Sequence, residues 1–362
     1  MPPCRGGVFV MVYLIVIIVL CIGFDFINGF HDAANSIATV VSTKVLTPVQ
    51  AVVWAAVFNF IAYFIAKYFI GFRVAGTVQN TVDAELIDPH TMMLVMIGGL
   101  VAAIVWSLFT WWKAIPSSSS HTLVGGLAGA AIAACGWNAV HWNTVGMIAL
   151  FIVVAPLIGF VVGNLIMILT TWVFRRTKPH KMDKWFRRLQ LLSSAFLSLG
   201  HGLNNSTKEI GVIACAIVAF KSMLAEGELL PAALQPSASL EQWGVVVPEW
   251  AAFACFTAIA IGTMSGGWRI IKTMGNKITK VTPVEGFCAQ TAGAIAIGIS
   301  QAVSMPVSTT HVISGSIMGV GSVKRLSAVR WGVSIDMITA WIVTIPISAL
   351  IGAACYGIIT LF

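Results

Sequence analysis

Two stretches of this chain, far apart in sequence, are near-copies, and each interrupts otherwise apolar sequence. Pro116-Ser117-Ser118-Ser119-Ser120-His121-Thr122-Leu123-Val124-Gly125 reads against Pro306-Val307-Ser308-Thr309-Thr310-His311-Val312-Ile313-Ser314-Gly315. Each is a Pro, a run of hydroxyl side chains, a His and a small-residue segment. Irregular backbone at membrane depth is tolerated only where it is buried in protein or lines a wet cavity. A duplicated break of this kind therefore asks for two related halves that meet at a shared polar site.

The surroundings are those of a membrane. Of 362 residues, 58% are hydrophobic and 9% charged, against about 25% charged in soluble domains. The apolar runs are long rather than alternating, which argues against a β-barrel and predicts an all-α integral membrane protein in a lipid bilayer. The run Val8 to Phe24 lacks a small-residue cleavage site and reads as a span, not a leader. The net charge of +8 does not point to nucleic acid, because the basic residues sit mostly in loops, where they set topology. Cys4, Cys21, Cys135, Cys215, Cys255, Cys288 and Cys355 are scattered without a C-x-x-C pair. They read as reduced packing residues, not disulfides or metal ligands.

The basic run from Arg175 to Arg188 is placed on the cytoplasmic side. Counting outward from it, crossings fall near 144–174, 117–136, 92–112, 47–71 and 8–43, and then near 189–220, 249–271, 285–303, 306–323 and 331–361. This puts both termini outside, with Asp83, Glu85 and Asp88 and the loop 221–248 carrying Glu226, Glu228 and Glu241. Lys44, Lys113, Lys272, Lys277, Lys280, Lys324, Arg325 and Arg330 fall inside; Arg5, Lys67, Arg73 and Lys221 are exceptions. The predicted organisation is a first transmembrane repeat (1–174), a basic cytoplasmic linker (175–188) and a second transmembrane repeat (189–362). Five is odd, so the second half enters the membrane upside down. The expected architecture is an inverted-topology repeat of about 5+5 crossings (10–12 helices), with broken or re-entrant helices at the midplane. A second aligned pair supports it: Gly29 to Ala38, preceded by Asn28, against Gly202 to Gly211, preceded by His201. The crossings that carry this pair exceed the about 20 residues a span needs, so they are expected to break.

The hydroxyl runs, Ser118, Ser119 and Ser120 with Ser308, Thr309 and Thr310, precede small-residue helices. The first N–H groups of a helix have no internal partner, and the macrodipole adds positive potential there. Two such ends facing each other make an oxyanion cage, joined by Asn204 and by His121 and His311, which donate to the anion, carry a proton or orient the loop. Read blandly, Ser, Thr and Gly only let helices pack closely. Asp25 and Asp32 fall where the first crossing should be buried, and an intramembrane carboxylate costs roughly 2.5–3.5 kcal/mol on insertion scales. Asp32 and Asn35 share a helix face, suiting Na⁺ or a proton on Asp32, although an Asp here also serves as a cap. Asn205, Lys208 and Glu209 hold the matching face of the second half, and Gln290 is a weaker candidate for the same cation or proton role. Glu285 and Asp336 read as interfacial charges. No firm metal site and no cofactor is expected. Carrying an anion into a negative-inside cell runs against about 2.3 kcal/mol per charge per 100 mV, so a concentrating carrier needs a coupled H⁺ or Na⁺.

These segments resemble the PiT family of inorganic phosphate transporters, and the bacterial low-affinity phosphate permeases most. The resemblance runs through Asn28 to Asn35, Phe58-Asn59-Phe60, Pro116 to Gly125, Gly200 to Asn205, Ile261 to Met264, Met305 to His311 and Trp341 to Pro346. It implies a symporter of the cell inner membrane that imports inorganic phosphate, or a metal–phosphate complex, with H⁺ or Na⁺. It also implies the signature Asp and Asn at the cation and the Ser/Thr loops at phosphate. The family's second signature usually carries Asp where this chain has Asn205, and Lys208 stands where many Na⁺-coupled relatives have Asn. Both departures lean the coupling toward H⁺. The rival readings are a carrier of sulfate or another tetrahedral oxyanion, and an anion channel. An enzyme is not expected, and a homodimer is compatible with the chain.

Overall fold

The computed structural model describes residues 6–72, 74–76, 80–224, 229–302 and 307–361, with backbone alone at 6–9. Cys4, Arg5, Arg73, Glu226, Glu228, Met305 and Pro306 lie outside the described residues. The described residues hold no strand, only one isolated bridge between Val82 and Val140.

Ten principal helices carry the fold: α1 (Gly6–Ser42), α2 (Pro48–Ile65), α3 (Pro89–Trp112), α4 (Ser119–Cys135), α5 (Trp142–Val173), α6 (Pro179–Ser222), α7 (Glu249–Ser265), α8 (Pro283–Ala302), α9 (Thr309–Lys324) and α10 (Trp331–Ile359). Their starts are written locally. Thr47 and Gln50 form a capping box that brackets Pro48, and Asp88, just before Pro89, accepts from the N–H groups of His90 and Thr91. Both devices satisfy backbone donors that the first turn leaves open.

Among the described residues, five helical stretches are long and apolar enough to cross a membrane alone, and a sixth candidate is α7 with Trp268–Lys277, bent by 59°. The remaining helices miss that test for physical reasons. α4 and α9 are 17 and 16 residues long, and α6 and α8 carry the polar residues of the interior. One expectation is corrected here. The helices bearing the aligned Gly29 and Gly202 blocks do not break: α1 runs 37 residues and α6 runs 44 without interruption. Neither block contains a Pro, and their polar side chains find partners across the interior, so the backbone has no reason to open. The breaks fall instead at the hydroxyl loops ahead of α4 and α9, and between α7 and Trp268.

Helix contacts come in matched sets. α5 packs on α9 and α10 on α4; α1 packs on α7 and α6 on α2; α1 packs on α3 and α6 on α8. Close approach needs glycine at corresponding places. A Cβ on Gly315 would lie 2.0 Å from the carbonyl oxygen of Pro156, and one on Gly125 would lie 2.7 Å from that of Ile345. Pro156 lies inside α5 and Pro346 inside α10. Two apolar clusters fill the interior. One gathers Leu14 to Phe24 of α1 with Ile210 to Phe220 of α6, the other Ala34 to Ala38 of α1 with Ile313 and Trp341. The polar residues of α1 and α6 lie between them.

Candidate functional site

The hydroxyl loops meet in the buried polar layer. Ser118 caps α4, its Oγ accepting from the His121 N–H at 3.3 Å, and Ser308 caps α9 in the same way, from the His311 N–H at 3.3 Å. Helix starts therefore form where the sequence places them. The two ends are opposed: the imidazoles of His121 and His311 stand 4.9 Å apart, and His311 stacks on Trp341 at 4.0 Å. The Thr310 hydroxyl donates to the Ser117 carbonyl at 3.2 Å, so the loops touch directly. Ser118, Ser119, Ser120, Ser308, Thr309 and Thr310 are all buried.

The long helices reach these loops crosswise. The Asn35 amide of α1 donates to Thr310 Oγ1 at 2.9 Å and Thr309 Oγ1 at 3.1 Å. Lys208 of α6, which aligns with Asn35, donates its ammonium to Ser120 Oγ at 2.5 Å and Asn205 Oδ1 at 2.8 Å. Ser120 aligns with Thr310. The next aligned pair behaves alike: the Asn204 amide donates to the Val307 carbonyl at 2.9 Å, and His31 Nε2 stands 3.4 Å from Ser117 Oγ.

Asp32 lies behind this layer. His31 Nδ1 is 2.9 Å from its carboxylate, His201 Nε2 is 3.7 Å away, and the Asn205 amide donates to it at 3.4 Å. Three hydrogen-bonding side chains from α1 and α6 thus surround one buried carboxylate. Asn35 and Asp32 share a face, but the Asn35 amide is turned to the threonines. Among the described residues, no group of three His, Cys, Asp or Glu side chains gathers to hold a metal ion.

The other expected residues separate from the cage. Asp25 accepts from Ser206 at 3.3 Å and lies within electrostatic reach of Glu209, beside Cys21 and Cys255. Gln290 accepts from Ser193 at 3.1 Å and donates to the Ser36 carbonyl at 3.0 Å, nearer α6 than the hydroxyl loops. Glu285 binds the N–H and hydroxyl of Thr282 at 2.6 and 2.8 Å and pairs with Lys324 at 2.6 Å. Asp336 is exposed.

Residue-type reasoning left out His31, His201 and Asn59. His31 bridges Asp32 to Thr110 Oγ1 at 3.0 Å, His201 stands 3.2 Å from Asn59 Oδ1, and the Asn59 amide donates to Thr263 Oγ1 at 2.9 Å. Each lies inside or beside a motif already quoted from the sequence, and that adjacency was the available signal.

Comparisons with known proteins give the chain's family and fold. A model of the phosphate transporter family matches residues 28–352. A protein of Rhizobium meliloti named "Probable low-affinity inorganic phosphate transporter" is 44% identical, with 95% of each chain covered. One of the same name from Bacillus subtilis is 41% identical over 97% of this chain and 99% of its own. Among solved structures, one titled "The sodium-dependent phosphate transporter" superposes with a TM-score of 0.83 over 97% of this chain and all of its own, at 24% identity, which speaks to the fold. The family model spans the crosswise contacts, from Asn28 behind Asp32 to Ser348 against Gly125, and on that span the chain belongs to the phosphate transporter family.

Proposed function

We propose that the chain is a secondary symporter that imports inorganic phosphate with H⁺, by alternating access between two inverted repeats, 1–174 and 189–362. The basic linker 175–188 lies in the cytoplasm, and both termini lie outside the cell inner membrane. One observation carries the reading: Asn35 and Lys208, equivalent in the two halves, each donate to the hydroxyl loop of the other half. A tetrahedral oxyanion held by Ser119, Ser120, Thr309 and Thr310 is then gripped from both halves at once, and its release requires the halves to move apart.

Lys208 gives the cage one fixed positive charge, and neutral hydroxyls and helix N-termini supply the other donors. A carrier gains from this mix, because a cage of several fixed cations would retain its cargo. Asp32, with His31, His201 and Asn205 around it, is the site of the coupled proton. The solved relative's title names sodium for that protein; here the ammonium of Lys208 stands opposite Asn35, which favours H⁺. His121 and His311 orient the two loops.

Phosphate uptake into proteoliposomes under an imposed pH gradient, and then under an imposed Na⁺ gradient, tests this. Accumulation above equilibrium is expected with the pH gradient alone. If neither gradient drives accumulation, the chain is not a symporter; if only Na⁺ does, the assignment of the coupled ion to H⁺ is wrong.

A further inference from the structure

Below the cage, toward the basic linker, the facing surfaces of α1 and α6 are polar in a way that the cage itself does not require. On α1 and the turn after it this strip follows Asn35 as Ser36, Thr39 and Thr43; on α6 it is Ser194, Ser193 and Gln190, and all six are buried. Its bonds cross between helices. The Thr43 hydroxyl donates to Gln190 Oε1 at 3.0 Å, and the Ser194 hydroxyl donates to the Ser36 carbonyl at 3.2 Å. The Ser193 hydroxyl donates to Gln290 Oε1 at 3.1 Å. Gln190 lies flat against Gly286 of α8, where a Cβ would meet its amide at 2.2 Å. The strip ends where Arg187 donates to the Lys44 carbonyl at 3.0 Å.

Two facts separate this seam from ordinary helix packing. First, it has more polar capacity than its own contacts use: Ser36 Oγ, Thr39 Oγ1 and Gln190 Nε2 are buried without a hydrogen-bond partner. Buried polar groups are normally paired, and intramembrane polar groups face cavities or pathways. Second, the opposite side of the cage is built differently: it holds the buried acids Asp25 and Glu209, the latter aligned with Ser36, and beyond them it turns apolar. Continuing the Gly29–Gly202 alignment along the unbroken helices sets Thr39 against Val212, Thr43 against Ala216, Gln190 against Ile17 and Ser194 against Cys21. All four counterparts are buried in one apolar cluster. On that side lies a cavity of about 510 Å³ lined by Val212, Leu127 and Met96 among others. The seam is bridged by the hydrogen bonds described above.

We propose that this seam is the route by which phosphate leaves the cage toward the basic linker, and that the Thr43–Gln190 and Ser193–Gln290 bonds are its closed gate. The proposal rests on the phosphate-carrier reading above. When the bonds part, the hydroxyls and amides that now face each other, together with the three unused atoms, replace part of the water around a passing oxyanion. Lys44 and Arg187 at the far end attract it.

The test is a Thr39→Cys variant in membrane vesicles of both orientations, treated with a membrane-impermeant anionic methanethiosulfonate. The untreated and treated parent chain, with its seven native cysteines, is the control. Modification is read by mass, and transport by exchange of labelled inorganic phosphate. Modification of the introduced thiol is expected only from the face bearing residues 175–188, with loss of exchange and with the rate altered by phosphate. Modification from the opposite face, from both faces, or from neither overturns the proposal. Gln190→Glu is the second variant. A like charge on the anion's path should slow phosphate efflux about tenfold while KM from the opposite face is kept, and unchanged efflux overturns the gate. If the parent moves no phosphate, the functional reading fails, whereas the labelling by mass still decides whether the seam opens.

Discussion

Lys208 of α6 donates to the Ser120 hydroxyl at the start of α4, 2.5 Å away, although 88 positions separate them in sequence. Asn35 makes the corresponding bond to Thr310. One half thus supplies an ammonium where the other supplies a neutral amide, and the cage is electrically lopsided. That asymmetry belongs to this chain's own sequence.

Replacing Lys208 by Met removes the fixed cation facing the bound anion. A hydrogen bond to a charged group contributes about 1.5–3 kcal/mol, so KM for phosphate should rise about ten- to a hundredfold. Radiolabelled uptake across a phosphate series measures it. An unchanged KM would place Lys208 outside the binding step.

Asp32→Asn should abolish accumulation against a gradient and spare membrane expression and downhill phosphate exchange. The carboxylate beside His31 and His201 is then the group that ties phosphate to the ion. Normal accumulation ratios in the variant would take that role away from Asp32.

Ser119→Ala and Thr309→Ala belong to opposite halves and to one cage. Their combined effect on KM should exceed either alone. The pair Asn35→Ala and Thr310→Ala should be non-additive, because each removes the same bond. A double-mutant cycle on phosphate affinity should give a coupling of about 0.5–1.5 kcal/mol.

Gly315→Leu should unfold the pairing of α9 with α5. Even a Cβ there meets the Pro156 carbonyl at 2.0 Å, and backbone cannot yield as a side chain does. Overpacking typically costs 1–3 kcal/mol, and about that much or more is expected here. The thermal midpoint in detergent should fall, and a Gly332→Leu control, where a Cβ meets nothing within 4 Å, should leave it near the parent value.

Asp88 caps α3 outside the spans, and its bonds from Thr91 and His90 hold its carboxyl below the usual carboxylate range. A folded-state value depressed below the unfolded one contributes stability that is present above the unfolded value of about 3.9. It is lost as pH falls through the folded value. Asp88→Asn keeps a capping acceptor but loses the charge. The thermal midpoints of parent and variant should differ at pH 7 and converge as pH falls below about 3.9 and through the folded value; a difference that stays constant throughout the acid range would mean the cap's charge is not its source.

Much of the site was legible in the sequence. The hydroxyl runs, Asp32 and Lys208 could be chosen from residue type alone, because polar groups inside apolar segments are too costly to be incidental. Other parts were not legible. The length of α1 and α6 suggested breaks, yet both run unbroken, since their polar side chains bond across the interior rather than to their own backbone. Asp25 looked like a member of the Asp32 site and instead accepts from Ser206, within electrostatic reach of Glu209. Gln190 and Thr43 gave no signal at all. Gln190 is ordinary in its helix and Thr43 in the turn after α1, and only their 3.0 Å contact makes them a pair.

By itself, the order of residues determined that the chain lies in a bilayer as helices, where two of those helices begin, and which polar groups must be kept from lipid. Hydropathy and capping act within a few turns, so a single strip of chain contains them. Only the tertiary structure decided that Asn35 answers Thr310, that Lys208 answers Ser120, and that Thr43 answers Gln190. Those choices depend on which helix faces rotate toward one another, and glycines such as Gly125 and Gly315 set that by the backbones they allow to touch.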